Sequence, residues 1–143
     1  MKTNKVFLAS DHAGFQLKEI IKKFLIKKRK KVLDLGTKNT SSVDYPDFAH
    51  LLSKKIKSGK NQFGILICGS GIGMDMAANK HKNIRAALCY NLQSTKLSRQ
   101  HNNANVMAIG ARLTNKNLAL KCVNTFINTN FEGGRHIARV KKI

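Results

Sequence analysis

The sequence predicts an open, doubly wound α/β fold on a parallel sheet of about five strands. Three observations carry this. Short segments, apolar on both faces and rich in β-branched residues, recur from end to end. Amphipathic stretches at helical spacing separate them. One apolar segment, Gly64-Ile-Leu-Ile-Cys68, runs straight into a loop with glycine at alternate positions, Gly69, Gly71 and Gly73.

Val6 to Ser10 is a compact apolar strand. Gly14 to Lys28 follows as a helix, with Phe15, Leu17, Ile20, Ile21, Phe24 and Leu25 on one stripe and lysines opposite. Its end carries the basic run Lys27 to Lys31, which suits the negative end of a helix dipole. Val32 to Leu35, closed by Gly36, is a second strand. A polar loop leads to Asp44-Tyr45-Pro46-Asp47, where Asp47 is expected to cap a helix running through Ile56. Phe63 to Cys68 is the third strand, and Met74 to Lys80 reads as a helix. Ile84 to Cys89 is the fourth strand, Val106 to Ile109 the fifth, and Asn115 to Asn128 the last long helix. Right-handed crossovers then cover both faces of the sheet. The chain reads as one domain, residues 1–143, ending in a tail of distinct character from about residue 131.

In such sheets ligands bind beyond the carboxyl ends of the strands. That rule places Asp11-His12, Cys68 to Gly73, Tyr90-Asn91 and Gly110 to Arg112 along one edge. The glycine loop is the richest of these. Strand, glycine turn and helix start together cradle anions through backbone N–H groups. A thiol delivered to such a loop ionises more readily than a free one, so Cys68 is a candidate base. The bland alternative is a tight connection with a buried structural cysteine. The spacing is not that of a dinucleotide fingerprint or a P-loop, since no Lys-Ser/Thr pair follows the glycines.

The formal charge is +20, from 27 Lys+Arg against 7 Asp+Glu. The excess is mostly lysine on predicted helix faces, with abundant asparagine, as in a chain from an AT-rich genome. No aromatic platform interleaves it, so a specific nucleic-acid function is not expected. Three widely spaced cysteines and unclustered histidines offer no metal site. No apolar run reaches the ~18 residues of a membrane span, and the N-terminus does not read as a signal region. A reducing, cytoplasmic setting fits.

Two polar knots remain. Ser98 to Asn105 contains His101, whose imidazole can give and take protons, and Asn102, which can bond sugar hydroxyls. In the tail, Arg135 and Arg139 stand one helical turn apart behind Gly133-Gly134, in a chain with only 6 arginines. Two guanidinium groups on one face make a phosphate clamp.

Asp11-His12-Ala-Gly14, Asp44-Tyr45-Pro46, Cys68 to Gly73 with Ala77-Ala-Asn-Lys80, Ser98 to Asn102, Gly110-Ala-Arg112 and Glu132-Gly-Gly-Arg135-His136 together resemble the B-type ribose-5-phosphate isomerases. The wider family includes galactose- and allose-6-phosphate isomerases. The likeness runs through nearly the whole chain in order.

The resemblance implies a Rossmann-like three-layer α/β/α domain, a homodimer or dimer of dimers with active sites between subunits, and no cofactor or metal. It implies Cys68 as the base that moves a proton between C1 and C2, and Ser70, His101 and Asp11 in ring opening. Met74 stands where some relatives carry a glutamate base, which places the chain in the cysteine-type branch. Tyr45 and Asn102 correspond to sugar-binding positions. His12, Arg112, Arg135, His136 and Arg139 correspond to the phosphate end. The loop glycines Gly69, Gly71 and Gly73 are expected to hold the developing oxyanion through their N–H groups.

Overall fold

Side chains of the first strand are buried on both faces, and their alternation between two apolar clusters sorts the molecule into layers. In the computed structural model, which describes residues 4–57 and 59–143, β1 (Lys5–Ser10) sends Val6 and Leu8 to one face and Phe7 and Ala9 to the other. The first residues of the N-terminal segment read above lie outside the described ones. The other elements are α1 (Phe15–Lys27), β2 (Lys31–Asp34), α2 (Tyr45–Lys55), β3 (Gln62–Cys68), α3 (Ile72–Ala78), β4 (Ala86–Leu88), α4 (Leu92–Gln100), β5 (Val106–Gly110), α5 (Lys116–Asn128) and α6 (His136–Val140). The strands form one parallel sheet in the order β2-β1-β3-β5-β4.

Leu17, Ile21 and Leu25 of α1 and Ala119, Cys122, Val123 and Phe126 of α5 pack with Val6, Leu8, Ile65, Ile67 and Met107. On the opposite face, Ala49 and Leu52 of α2 and Met74 and Ala78 of α3 meet Phe7, Ala9, Leu66, Cys68 and Ala108. This is the predicted α/β/α sandwich. Each fully buried Leu, Ile or Met in these layers contributes roughly 1.5–3 kcal/mol by leaving water.

Three local expectations are corrected. The second helix begins at Tyr45, with Pro46 inside its first turn and Asp44 at the N-cap, so Asp47 lies within the helix and does not cap it. Proline fits there because its missing N–H would lack a partner anyway. The third helix begins at Ile72, two residues before the expected start, because Gly71 with φ +78° makes the turn and Ile72 continues as helix. Lys18 is not on a solvated face. It is 1% exposed, and its Nζ reaches Asp34 Oδ1 at 2.8 Å, Asp34 Oδ2 at 2.7 Å and Glu19 Oε1 at 3.0 Å.

Candidate active site

The carboxyl ends of β1, β3 and β5 lie side by side, and the segments leaving them wall a cleft of about 580 Å³. Asp11, His12, Tyr45, Cys68, Gly69, Ser70, Gly73 and Arg112 all line it. Tyr90 and Asn91 do not, because β4 is the outermost strand and Asn91 caps α4 by accepting the Ser94 N–H at 2.7 Å.

Cys68 ends β3 on the α2/α3 face and is 4% exposed. The Gly71 N–H donates to its Sγ at 3.2 Å, and the Ile72 N–H donates to Ser70 Oγ at 3.2 Å. The loop thus turns two of its N–H groups onto its own side chains. Gly71 fixes the direction of the sulfur, so its N–H does not point at a substrate oxygen as the sequence suggested. Ser70 keeps its hydroxyl hydrogen available to donate.

The loop glycines also make room. A side chain on Gly73 would meet the Tyr45 ring at 2.4 Å, and one on Gly69 would lie 3.0 Å from Arg112 Nη1. Tyr45 and Arg112 therefore lie directly against the backbone of the loop that carries Cys68. Gly71 needs its positive φ, and a Cβ there would strike the Ile109 carbonyl carbon at 2.8 Å.

Asp11 is 6% exposed, and its Oδ1 accepts the Gly14 N–H at 3.0 Å. The carboxylate is fixed at the entrance to α1 and keeps its other oxygen for the cleft. His12 Nδ1 accepts the Val43 N–H at 3.2 Å. In the neutral ring the proton must then sit on Nε2, so His12 offers a donor. The polar loop before Tyr45 thus sets a tautomer, a role of Val43 that no side-chain motif could reveal.

The remaining predicted residues lie elsewhere. His101, Asn102, Arg135, His136 and Arg139 line a second cleft of about 430 Å³. Topology explains the separation. A helix that leaves the carboxyl end of one strand must return to the amino end of the next. His101 and Asn102 follow α4 and precede β5, so they lie at the amino edge of the sheet. The tail follows α5 and joins them there, with the Glu132 N–H bonded to Gln100 O at 3.1 Å and Arg99 Nε to Thr129 O at 3.0 Å. A strand of five residues such as β5 spans on the order of 15 Å, which sets the scale between the two edges.

In this second cleft the His101 and His136 rings stack with centroids 4.3 Å apart. Glu132 Oε2 is 4.0 Å from His101 Nε2 and 3.7 Å from His136 Nε2. Arg135 is the N-cap of α6 and Arg139 lies in its last turn, so the two arginines share one turn as the spacing predicted. A larger basic cavity of about 790 Å³, bordered by Lys80, Lys82 and Arg85, adjoins this edge through Asn102 and Val140. It holds none of the groups around Cys68; besides the basic side chains it is lined by His81, whose Nε2 lies 2.7 Å from His50 Nδ1.

The three thiols separate sharply. Burial pushes Cys89 up to about 12, and burial also raises Cys122. Both sit in the layer beneath α5, away from either cleft. Cys68 alone faces one.

Known proteins similar to this chain share its overall fold. A family model described as Ribose/Galactose Isomerase matches residues 6–143. A putative sugar phosphate isomerase of Rickettsia bellii is 45% identical over 143 residues, covering 100% of this chain and 99% of its own. The structure of a ribose 5-phosphate isomerase from Thermotoga maritima superposes with a TM-score of 0.94 at 47% identity, covering 99% of this chain and 97% of its own. A ribose-5-phosphate isomerase B from Mycoplasma genitalium, solved with bound ribulose-5-phosphate, gives a TM-score of 0.94 at 44% identity, covering 99% of this chain and 95% of its own. With a matched model that spans almost the full length and relatives this similar, the chain belongs to the ribose/galactose isomerase family.

Proposed function

We propose that the protein interconverts ribose 5-phosphate and ribulose 5-phosphate, as a cytoplasmic enzyme of the pentose phosphate pathway. The observation that carries this is Cys68, held by Gly71 at the floor of a cleft with Asp11, Ser70, Tyr45, His12 and Arg112 around it. Isomerisation needs an open-chain sugar, a base beside the carbonyl and donors for the enediolate oxygens. The Cys68 thiolate takes the proton from C2 and returns it at C1. Ser70 O–H lines the same cleft and offers a donor for developing charge. The free cysteines support a reducing compartment.

The second cleft adds His101, the imidazole expected in ring opening, and an arginine pair suited to phosphate. One chain places the two clefts at opposite edges of the sheet, so we infer a homodimer in which each site joins the Cys68 cleft of one copy to the His101 cleft of the other. Ile72, Met76 and Leu113 are 45%, 66% and 72% exposed on or beside the rim of the Cys68 cleft, an apolar collar suited to such a partner. Phosphate gripped at the far end then orients C1 and C2 over the sulfur.

The family description names galactose as well as ribose, so six-carbon 6-phosphates are the rival substrates. Parallel isomerase assays on ribose 5-phosphate, allose 6-phosphate and galactose 6-phosphate decide. The highest kcat/KM is expected for ribose 5-phosphate, and a higher value for either hexose phosphate would reassign the substrate.

A further inference from the structure

Glu132 belongs to neither set of expected site residues, yet one of its oxygens is shared by two imidazoles. Its Oε2 faces the Nε2 atoms of His101 and His136, at 4.0 and 3.7 Å. Its backbone N–H donates to Gln100 O, so the main chain that carries the half-exposed carboxylate is tied to the residue that precedes His101. His136 is buried and its ring is packed parallel to that of His101, with 15° between the planes. His101 is the more open of the two, with 36% of its side chain exposed against 7% for His136.

The charges around this stack are mostly positive. Burial pushes His136 below the usual imidazole range, His101 and Arg135 push it further, Glu132 opposes them, and Arg139 adds to the lowering. Two imidazoles 4.3 Å apart do not both hold a proton readily beside two arginines. Without Glu132 every charged neighbour of the stack would be positive. Three such donors also invite a cation. However, nearly parallel rings do not aim their in-plane lone pairs at one point, and Arg135 and Arg139 oppose a positive guest.

We propose that Glu132 is a positioning residue for ring opening: its carboxylate holds the His101 ring against His136 and offsets the positive charge of Arg135 and Arg139, so that His101 carries the single proton of the pair. His136 then serves as the neutral platform on which that ring lies. The proposal rests on the assignment of His101 to ring opening. Its proton goes to the ring oxygen as the furanose bond breaks, and the hydroxyl proton on C1 leaves to a base in the Cys68 cleft, so the step balances within the site.

The test is Glu132→Gln, which keeps shape and removes charge. With ribose 5-phosphate at pH 7.5, kcat is expected to fall about three- to tenfold, because a carboxylate within 4–6 Å favours the protonated neighbour. KM should stay level or fall, since the phosphate then meets less opposing negative charge. Turnover of an open-chain analogue should be unaffected. In a His101→Asn background the same substitution should change nothing further. Independently of any activity, the His101 imidazole signals in an NMR titration should move to lower pH in the variant. An unchanged His101 titration, or equal losses on cyclic and open-chain substrates, overturns the proposal. A raised KM with unchanged kcat assigns Glu132 to phosphate binding and also overturns it. If wild-type protein shows no isomerase activity, the proposed function fails, while the NMR titration still decides whether Glu132 governs the pair.

Discussion

The two clefts are built on different principles. The Cys68 cleft stands on strand ends and backbone: Gly71 aims an N–H at the sulfur, Tyr45 and Arg112 lie on glycines, and Val43 sets the His12 tautomer through its main chain. The His101 cleft stands on side chains packed against one another, stacked imidazoles with a carboxylate at their Nε2 edges and arginines on a five-residue helix. Backbone placement gives the tolerance that proton transfer at carbon requires. Side-chain placement, on turns and a short terminal helix, leaves the second cleft with fewer backbone constraints. The difference teaches that the expected site residues divide between opposite edges of one sheet, which is what motivates the proposal that a second copy unites them.

The largest expected effect tests the chemical half. Cys68→Ser should fold normally and lose at least about a hundredfold in kcat, the scale of a lost general base. Iodoacetamide inactivation should follow modification of Cys68, while Cys89 and Cys122, both with thiols made inert by burial, stay unmodified in the native protein. Near-normal turnover by Cys68→Ser would remove the chemistry from that cleft and dissolve the contrast.

A mixing experiment tests the union. Cys68→Ser and His101→Asn should each be nearly inactive. Co-assembled in equal amounts, half the dimers are mixed, and each carries one intact site, so about a quarter of wild-type activity should return. Mixed dimers verified by two tags that stay inactive would show that both clefts of a site come from one chain.

The anchoring half should respond in binding. Arg135→Ala or Arg139→Ala should cost on the order of 1.5–3 kcal/mol in kcat/KM for the phosphorylated sugar, as for hydrogen bonds to charged groups. The preference for ribose 5-phosphate over ribose should fall with it, and lysine should replace either arginine poorly because guanidinium bonds to phosphate are bidentate. A preference that survives both substitutions would leave His12 and Arg112 as the phosphate site and make the tail a solvated end.

Much of this was legible before any coordinates. Apolar segments such as Ile65 to Cys68, buried on both sides, could only be central parallel strands, and their carboxyl ends marked the Cys68 cleft. The glycine loop told its own story, because Gly69, Gly71 and Gly73 leave space that other residues would fill. His101 was legible as a type but not as a place. The crossover rule sends α4 back to the amino edge, a step the ligand-edge rule alone does not supply. Lys18 misled because its period put it among surface lysines, and nothing local says that Asp34, sixteen residues on, will close over it. Glu132 stood in plain view four residues before His136, yet its value depends on a stacking partner from a different knot.

The smallest expected effect concerns what holds the wall of the Cys68 cleft, a support the His101 cleft does not share. Asp34 takes two hydrogen bonds from buried Lys18 and one from Lys22, and its Oδ1 accepts the Gly36 N–H at 3.0 Å. Gly36 O in turn accepts the Ser10 N–H at 2.8 Å, just before Asp11 and His12. Burial alone would raise the Asp34 carboxyl, but the lysine and backbone donors outweigh it and hold the group below its usual range. A depressed carboxyl stabilises the fold at any pH above its unfolded value of about 3.9, and that stability is lost as pH falls through the folded value. Asp34→Asn should therefore cost about 1–2 kcal/mol at pH 7, less than the ~3–5 of a fully orphaned buried charge because Glu19 still meets Lys18. The gap between wild type and variant, read from urea unfolding, should stay level from pH 7 to pH 5 and close below pH 4. At neutral pH the variant should raise KM for ribose 5-phosphate slightly and leave the His101 and His136 NMR signals unmoved. A gap that stays constant down to pH 3 would mean that Asp34 acts by shape, and moved histidine signals would mean that the two clefts share one support after all.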